Sequence, residues 1–150
     1  MARNDEGIAI NQWKFVLDIL SNTGLLGVRS TKTPSKKGLK LLSNQGPLFD
    51  DLERYQSLNG RLLYLCISRL DITYIVQQLS QFVNSPCQAH WDVALHLLRY
   101  LKGCQSVGLL YPAQNSFNLV TYCNADWASC TETRKSLTNF CVYMGAALIY

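Results

Sequence analysis

Apolar residues follow two spacing regimes along this chain. Through the first two thirds they recur at three and four residues, as on amphipathic helices; in the last third they form short β-rich runs between turn residues. The opening "GIAIN" alternates and predicts a short strand ending at Asn11. Asn11 is then a suitable N-cap for a helix over "QWKFVLDILSNTG", with Trp13, Val16, Leu17 and Leu20 on one face and Gly24 as its stop. A loop rich in Ser, Thr, Lys, Gly and Pro follows from Gly27 to about Pro47. Asp50 and Asp51 suit the start of a second helix through "LERYQSLNGRLLYLCI". After a break at "SRLD", a third helix is predicted in "ITYIVQQLSQFVN", its stripe made of Ile72, Ile75, Val76, Leu79, Phe82 and Val83, with Pro86 ending it. A fourth, "AHWDVALHLLRYLKG", carries Trp91, Ala94, Leu95, Leu98 and Leu101 and closes at Gly103. The strands predicted beyond it are "VGLLY", "FNLVTYC", "TNFCVYM" and "AALIY". The fold class is therefore α+β, a helical region followed by an antiparallel strand meander. The last strand meets the chain end at Tyr150 without a turn, so we expect an incomplete sheet with an open edge suited to self-association.

Composition narrows this picture modestly. With 48% hydrophobic and 16% charged residues over 150 positions, the chain is globular material for one domain or pieces of two. No apolar run reaches membrane-spanning length, and "MARNDEGIAINQ" lacks the organisation of a secretory signal, so no membrane association and an intracellular location are expected. The net charge of +4 matters less than its placement. No acid lies between Ile19 and Phe49, whereas Arg29, Lys32, Lys36, Lys37 and Lys40 do. Such a loop has the chemistry to track phosphates; the alternative is a solvated basic loop. The six cysteines form no C-x-x-C pair, and His90 and His96 are not spaced i,i+4, so no zinc site is expected and most thiols should be buried.

Several stretches together resemble the Pol polyprotein of copia-type retrotransposons. "EGIAINQWKFVLDILSNTGLLG" looks like the segment entering the reverse-transcriptase thumb. "RYQSLNGRLLYLCISRLDITYIVQQLSQFVNSP" is similar to the thumb and connection. "HWDVALHLLRYLKGCQSVGLLY" and "YCNADWASCTETRKSLTNFCVYMG" resemble the entry into ribonuclease H. The combination of "LRYLKG" with "ADWASC" and "TRKS" is the specific part. The resemblance implies a thumb/connection-like region over 1–105 and the first strands of a ribonuclease H-like domain over 106–150. It also implies that the polymerase Y-x-D-D, absent from this sequence, lies upstream. The first strand of the family's primer-grip hairpin would precede Met1, and the later ribonuclease H acids would follow Tyr150.

In that family the first ribonuclease H strand ends in a pattern like Ser-Asp-Ala-Asp-Trp, whose first acid holds catalytic magnesium. Here the matching residues are Cys123, Asn124, Ala125, Asp126 and Trp127. An amide oxygen brings no negative charge to offset two dications, so catalytic residues, a metal site and a cofactor are not expected here, although the active family uses Mg²⁺. Asp126 is read as capping the turn and Trp127 as packing. Leu70 stands where the family usually has Pro, which loosens a turn, and Asn139 where it usually has Gly. Gln56, Gly60 and Tyr64 recur every four residues on the thumb-like helix, with Arg61 beside them. In related reverse transcriptases the matching face follows the template–primer minor groove. Gln56, Gly60, Arg61, Tyr64, Lys36 and Lys37 are therefore candidate contacts to an RNA–DNA or DNA duplex, weak and salt-sensitive; the alternative is that Gly60 eases helix packing and Tyr64 fills a core. The leading reading is a catalytically inactive Pol fragment; a co-opted binding module and an excerpt of a larger active polyprotein are its rivals.

Overall fold

The computed structural model describes residues 1–43, 46–126 and 137–149. They form an α+β arrangement of four helices and two small antiparallel sheets, divided between two compact units. Gln12–Val107 is the helical unit, while Met1–Asn11 and Gly108–Tyr150 together make the other, so the N-terminal strands belong with the C-terminal ones.

The helical unit contains α1 (Trp13–Asn22), α2 (Leu52–Leu65), α3 (Thr73–Ser80) and α4 (Gln88–Gly103), with a 3-10 turn at Leu70–Ile72. Its core is the set of apolar stripes turned on one another: Val16, Ile19 and Leu20 of α1, Leu58, Leu62 and Leu65 of α2, Ile75, Val76 and Leu79 of α3, and Trp91, Ala94, Leu97, Leu98 and Leu101 of α4. Burial of this kind stabilises by about 25 cal/mol per Å² of apolar surface, which exceeds helix propensity as the reason these short helices form. The stripe expected on α1 is shifted. Trp13 is half exposed and Ile19 is fully buried in its stead, because the cap is Gln12 and not Asn11 and the helix enters with Trp13 at its first turn. Gly24 does end α1, at φ +73°, a conformation costly for any residue with a Cβ. Asp51 caps α2, its carboxylate accepting from the Arg54 amide at 3.0 Å.

The cap of α4 is less usual. His90 Nδ1 accepts from the Cys87 amide at 3.0 Å, and His90 Nε2 lies 3.2 Å from the Leu42 carbonyl, so Nε2 carries the ring proton. The ring stacks on Phe82 at 3.9 Å and is fully buried. Buried Tyr55 donates its hydroxyl to the Leu79 carbonyl at 2.9 Å; burial pushes this phenol far above its usual range, and the nearby Cys87 adds to the shift. The expectation that most thiols are buried fails: among the described cysteines Cys87 is buried, Cys66, Cys104 and Cys141 are half-buried, and Cys123 is exposed.

In the other unit, β1 (Ala2–Asn4) and β2 (Gly7–Ile10) form a hairpin, and β2 pairs antiparallel with β3 (Leu109–Pro112). The sequence suggested one strand here, but Asn4 Oδ1 accepts from the Glu6 and Gly7 amides at 3.1 Å each and closes a turn that the alternation alone did not reveal. Gly7, at φ +152°, passes so close to the Tyr111 carbonyl that no side chain would fit. The second sheet is β4 (Leu119–Asp126), β5 (Leu137–Met144) and β6 (Ala147–Leu148), ordered β4-β5-β6. Asn115 fastens its β5–β6 turn, donating to the Met144 carbonyl and accepting from the Ala146 amide at 2.9 Å.

Candidate nucleic-acid interface

Helix α2 buries Tyr55, Leu58, Asn59, Leu62 and Leu65, which leaves Gln56, Gly60 and Tyr64 on the opposite, solvent-facing side. Asn59, the polar member of the buried face, is satisfied by donating to Ser80 Oγ at 3.1 Å. Gly60 is exposed, and a Cβ built there would meet nothing within 4 Å. Tyr64 is 55% exposed. Gly60 thus has no packing neighbour, while Tyr64 meets the Phe15 ring of α1 and stays more than half exposed. The absence of a side chain at Gly60 leaves a shallow gap on the helix surface, into which another molecule's backbone can approach.

The two polar neighbours are partly engaged. Gln56 Nε2 donates to the Val83 carbonyl at 3.2 Å, tying α2 to the segment after α3. Arg61 is held from α1: with its amide oxygen turned toward the guanidinium, Asn22 accepts from Nη1 at 2.8 Å and Nη2 at 3.3 Å. The guanidinium also lies over the Phe15 ring at 5.5 Å, and Phe15 meets Tyr64 edge to face at 5.3 Å. Phe15 and Asn22 thus fix Arg61 and Tyr64. Their signal was an i,i+7 pair on α1 lying outside its apolar stripe.

The basic loop is ordered against α4 and not free in solvent. Thr31 donates its amide to the Arg99 carbonyl at 3.2 Å, His96 Nε2 lies 3.1 Å from the Thr33 carbonyl, Arg99 Nε donates to the Arg29 carbonyl at 2.9 Å, and Lys102 Nζ reaches the Val28 carbonyl. Cations of α4 therefore bind the loop's backbone, while the loop's own Arg29, Lys32, Lys36 and Lys37 remain exposed. Lys36 lines a cleft shared by the loop and α4, to which α2 contributes no residue, so it does not join Gln56, Gly60 and Tyr64 in one cluster.

A polar centre that the sequence reading passed over lies at "SRLD". Arg69, 1% exposed, makes a bidentate pair with Asp71, Nε to Oδ1 at 2.9 Å and Nη2 to Oδ2 at 2.7 Å. Its Nη1 donates to the Cys104 carbonyl at 2.8 Å, Nη2 lies 3.0 Å from Cys104 Sγ, and Tyr100 donates its hydroxyl to Asp71 Oδ2 at 2.8 Å. Burial alone would raise the Asp71 pKa, but the bonds from Arg69 and Tyr100 outweigh it and hold the carboxyl below the usual range. Tyr100 moves the other way, pushed up to about 12 by burial and by its bond to Asp71. The turn at Leu70 is therefore not loose; an ion pair flanking Leu70 does what a proline ring would do.

Asn124 lies in β4, exposed, opposite Asn139 of β5 in register. Asn139 is in extended strand, so its tolerance of left-handed backbone is not used. Among the described residues no group of three or more His, Cys, Asp or Glu is placed to hold a metal ion. The backbone of Asp126 continues β4; the roles expected for its side chain and for Trp127 lie outside the described residues. No described helix is long and apolar enough to cross a membrane.

No family model and no solved structure matches the chain. Curated relatives do. The Retrovirus-related Pol polyprotein from transposon RE2 of Arabidopsis thaliana is 33% identical over 143 residues, 95% of this chain and 10% of the polyprotein. An uncharacterised mitochondrial protein of the same plant is 35% identical over 144 residues, 95% of this chain and 59% of that protein. A second uncharacterised mitochondrial protein is 40% identical over 79 residues, 53% of this chain and 71% of its own length. The chain thus spans about a tenth of the Pol polyprotein and somewhat over half of the first mitochondrial protein. Since the likeness covers 92–95% of the chain, the chain belongs to the family of copia-type retrotransposon Pol polyproteins.

Proposed function

We propose that this chain corresponds to the thumb and connection of a reverse transcriptase followed by the first strands of ribonuclease H, and that it is catalytically silent by itself. Asn124 carries this reading. Two-metal phosphodiester hydrolysis needs carboxylates to bind and bridge the ions, and the neutral amide of Asn124 cannot supply that charge. In this reading the helical unit keeps a passive role, following a nucleic-acid duplex along the exposed face of α2. Gly60 admits the backbone, Tyr64 offers a ring edge, and the fixed guanidinium of Arg61 meets a phosphate. Lys36 and Lys37 add long-range attraction that salt screens.

The test has two arms. Incubated with an RNA–DNA hybrid and magnesium, the chain should leave the RNA strand intact; magnesium-dependent cleavage would overturn the reading of Asn124. In a titration against the same hybrid, affinity should fall steeply with salt and drop further in the Gln56→Ala/Arg61→Ala double variant. Affinity indifferent to both would remove the duplex-tracking role.

A second reading, that the same sequence works as part of a larger active polyprotein, is favoured by the chain's small share of the Pol relatives' length. Flanking coding sequence with an intact Y-x-D-D upstream would support it for polymerisation, while Asn124 still argues against ribonuclease H cleavage.

A further inference from the structure

We propose that the cleft between the 25–39 loop and α4 is a docking site for a short acidic–apolar peptide segment of a partner protein. The cleft encloses about 600 Å³, within the usual range for a binding pocket. Its floor is aliphatic, formed by Leu25, Val28 and Leu39 from the loop and Val93 from α4. These side chains are half-buried, so an apolar side chain entering the cleft completes their desolvation.

The charge around that floor is positive on balance. Lys36 and Arg99 line the cleft against a single acid, Asp92, whose Oδ1 already accepts from Gln88 Nε2 at 2.9 Å. Arg99 spends its Nε on the Arg29 carbonyl, and among the described residues its two terminal nitrogens have no hydrogen-bond partner. That fork matches a carboxylate in geometry and charge. The loop wall of the cleft is also fixed to α4, because His96, Arg99 and Lys102 meet the backbone carbonyls of Thr33, Arg29 and Val28. A preformed site loses less ordering entropy on binding.

A peptide fits these features better than a nucleic-acid strand does. Among the described residues no Phe, Tyr or Trp lines the cleft, and the His96 ring edge is already turned to the Thr33 carbonyl, so bases would find little stacking surface. Alternating apolar and acidic side chains would instead satisfy floor and rim together.

The experiment is fluorescence anisotropy of the full chain with a labelled octapeptide of alternating leucine and glutamate. A glycine–glutamate octapeptide and a single-stranded oligonucleotide serve as comparison probes. Binding of the leucine–glutamate peptide is expected, and it should weaken about tenfold in Lys36→Glu, which reverses a charge at the rim. Lys32→Glu, the same charge change on the same loop outside the cleft lining, should shift it by less than about twofold. Equal binding of the glycine–glutamate peptide, equal effects of the two variants, preference for the oligonucleotide, or no peptide binding would each overturn the proposal. It does not depend on the duplex-tracking role of α2, and removing that role with Gln56→Ala/Arg61→Ala leaves the peptide result interpretable.

Discussion

Arg69 is a buried cation on which two parts of the helical unit depend. It joins the 3-10 turn to the end of α4 through Asp71, Tyr100 and Cys104, and it does so with almost no solvent contact. Arg69→Met would leave the Asp71 carboxylate without its countercharge and the Cys104 carbonyl without its donor; we expect a loss of about 3 kcal/mol in urea unfolding. The double variant Arg69→Met/Asp71→Leu should recover a large part of that loss, because the remaining groups no longer include an unpaired charge. The same centre sets a pH dependence. Because the folded state holds the Asp71 pKa below its unfolded value, the stability it contributes is present above about pH 4 and is lost as pH falls through the folded value. Tyr100 behaves oppositely. Its raised pKa gives stability that is complete below about pH 10 and is lost as pH rises toward the folded value of about 12. Urea midpoints measured across pH for the wild type and for Tyr100→Phe would show the alkaline loss in the first and a smaller one in the second. This centre was legible in the sequence only as charges two residues apart. The departure at Leu70 stands out in "SRLD", whereas Arg69 and Asp71 find their partners Tyr100 and Cys104 about thirty positions away, beyond any local pattern.

Helices were far more legible than the contacts between them, because an apolar stripe is local while its partners are not. The stripes of α3 and α4 match at Ile75, Val76, Leu79, Trp91, Ala94, Leu98 and Leu101. But α3 stops at Ser80, short of Phe82 and Val83, and Leu97 is fully buried where Leu95 was expected and is only half-buried. Trp13 misled because a large apolar residue in a first turn need not face the core. The β1–β2 hairpin was missed because β1, "ARN", has no apolar residue beyond Ala2. On α2, Gly60 makes a prediction that separates stability from function. With open space around its missing Cβ, Gly60→Ala should stabilise α2 by roughly 0.5–1 kcal/mol, since nothing opposes the gain in helix propensity. If the helix face follows a duplex, the same variant should bind the hybrid more weakly. Thermal unfolding and duplex titration on one protein preparation read both signs; unchanged or stronger binding would leave Gly60 as a mere helix weakness. Gly7 gives the contrasting case. Gly7→Ala should destabilise the first sheet, because the new methyl would meet the Tyr111 carbonyl.

At the scale of the whole molecule the two units differ in how well they protect themselves. The helical unit encloses one continuous core, whereas β4 exposes every described side chain from Leu119 to Ala125, including both alternating sets of the strand. Leu119 is 68% and Tyr122 63% exposed. Residues on opposite faces of a strand are both open only when neither face is covered. Native amide exchange should therefore be slow in α2 and α4 and fast along β4 and β5, since backbone hydrogen bonds in a thin, uncovered ladder open locally. The same strand also invites association. Among the described residues β4 is paired on one side only, and "LVTYCNA" has no charge or proline to discourage a second strand from adding to it. Two copies of β4 placed antiparallel would satisfy each other's free backbone groups. Sedimentation velocity should accordingly show concentration-dependent growth in size. Val120→Lys and Tyr122→Lys should suppress it with little cost to folding, because both side chains are solvent-exposed in the isolated chain. A chain that stays monomeric at high concentration, with slow exchange along β4, would overturn this prediction by showing that the strand is covered in solution.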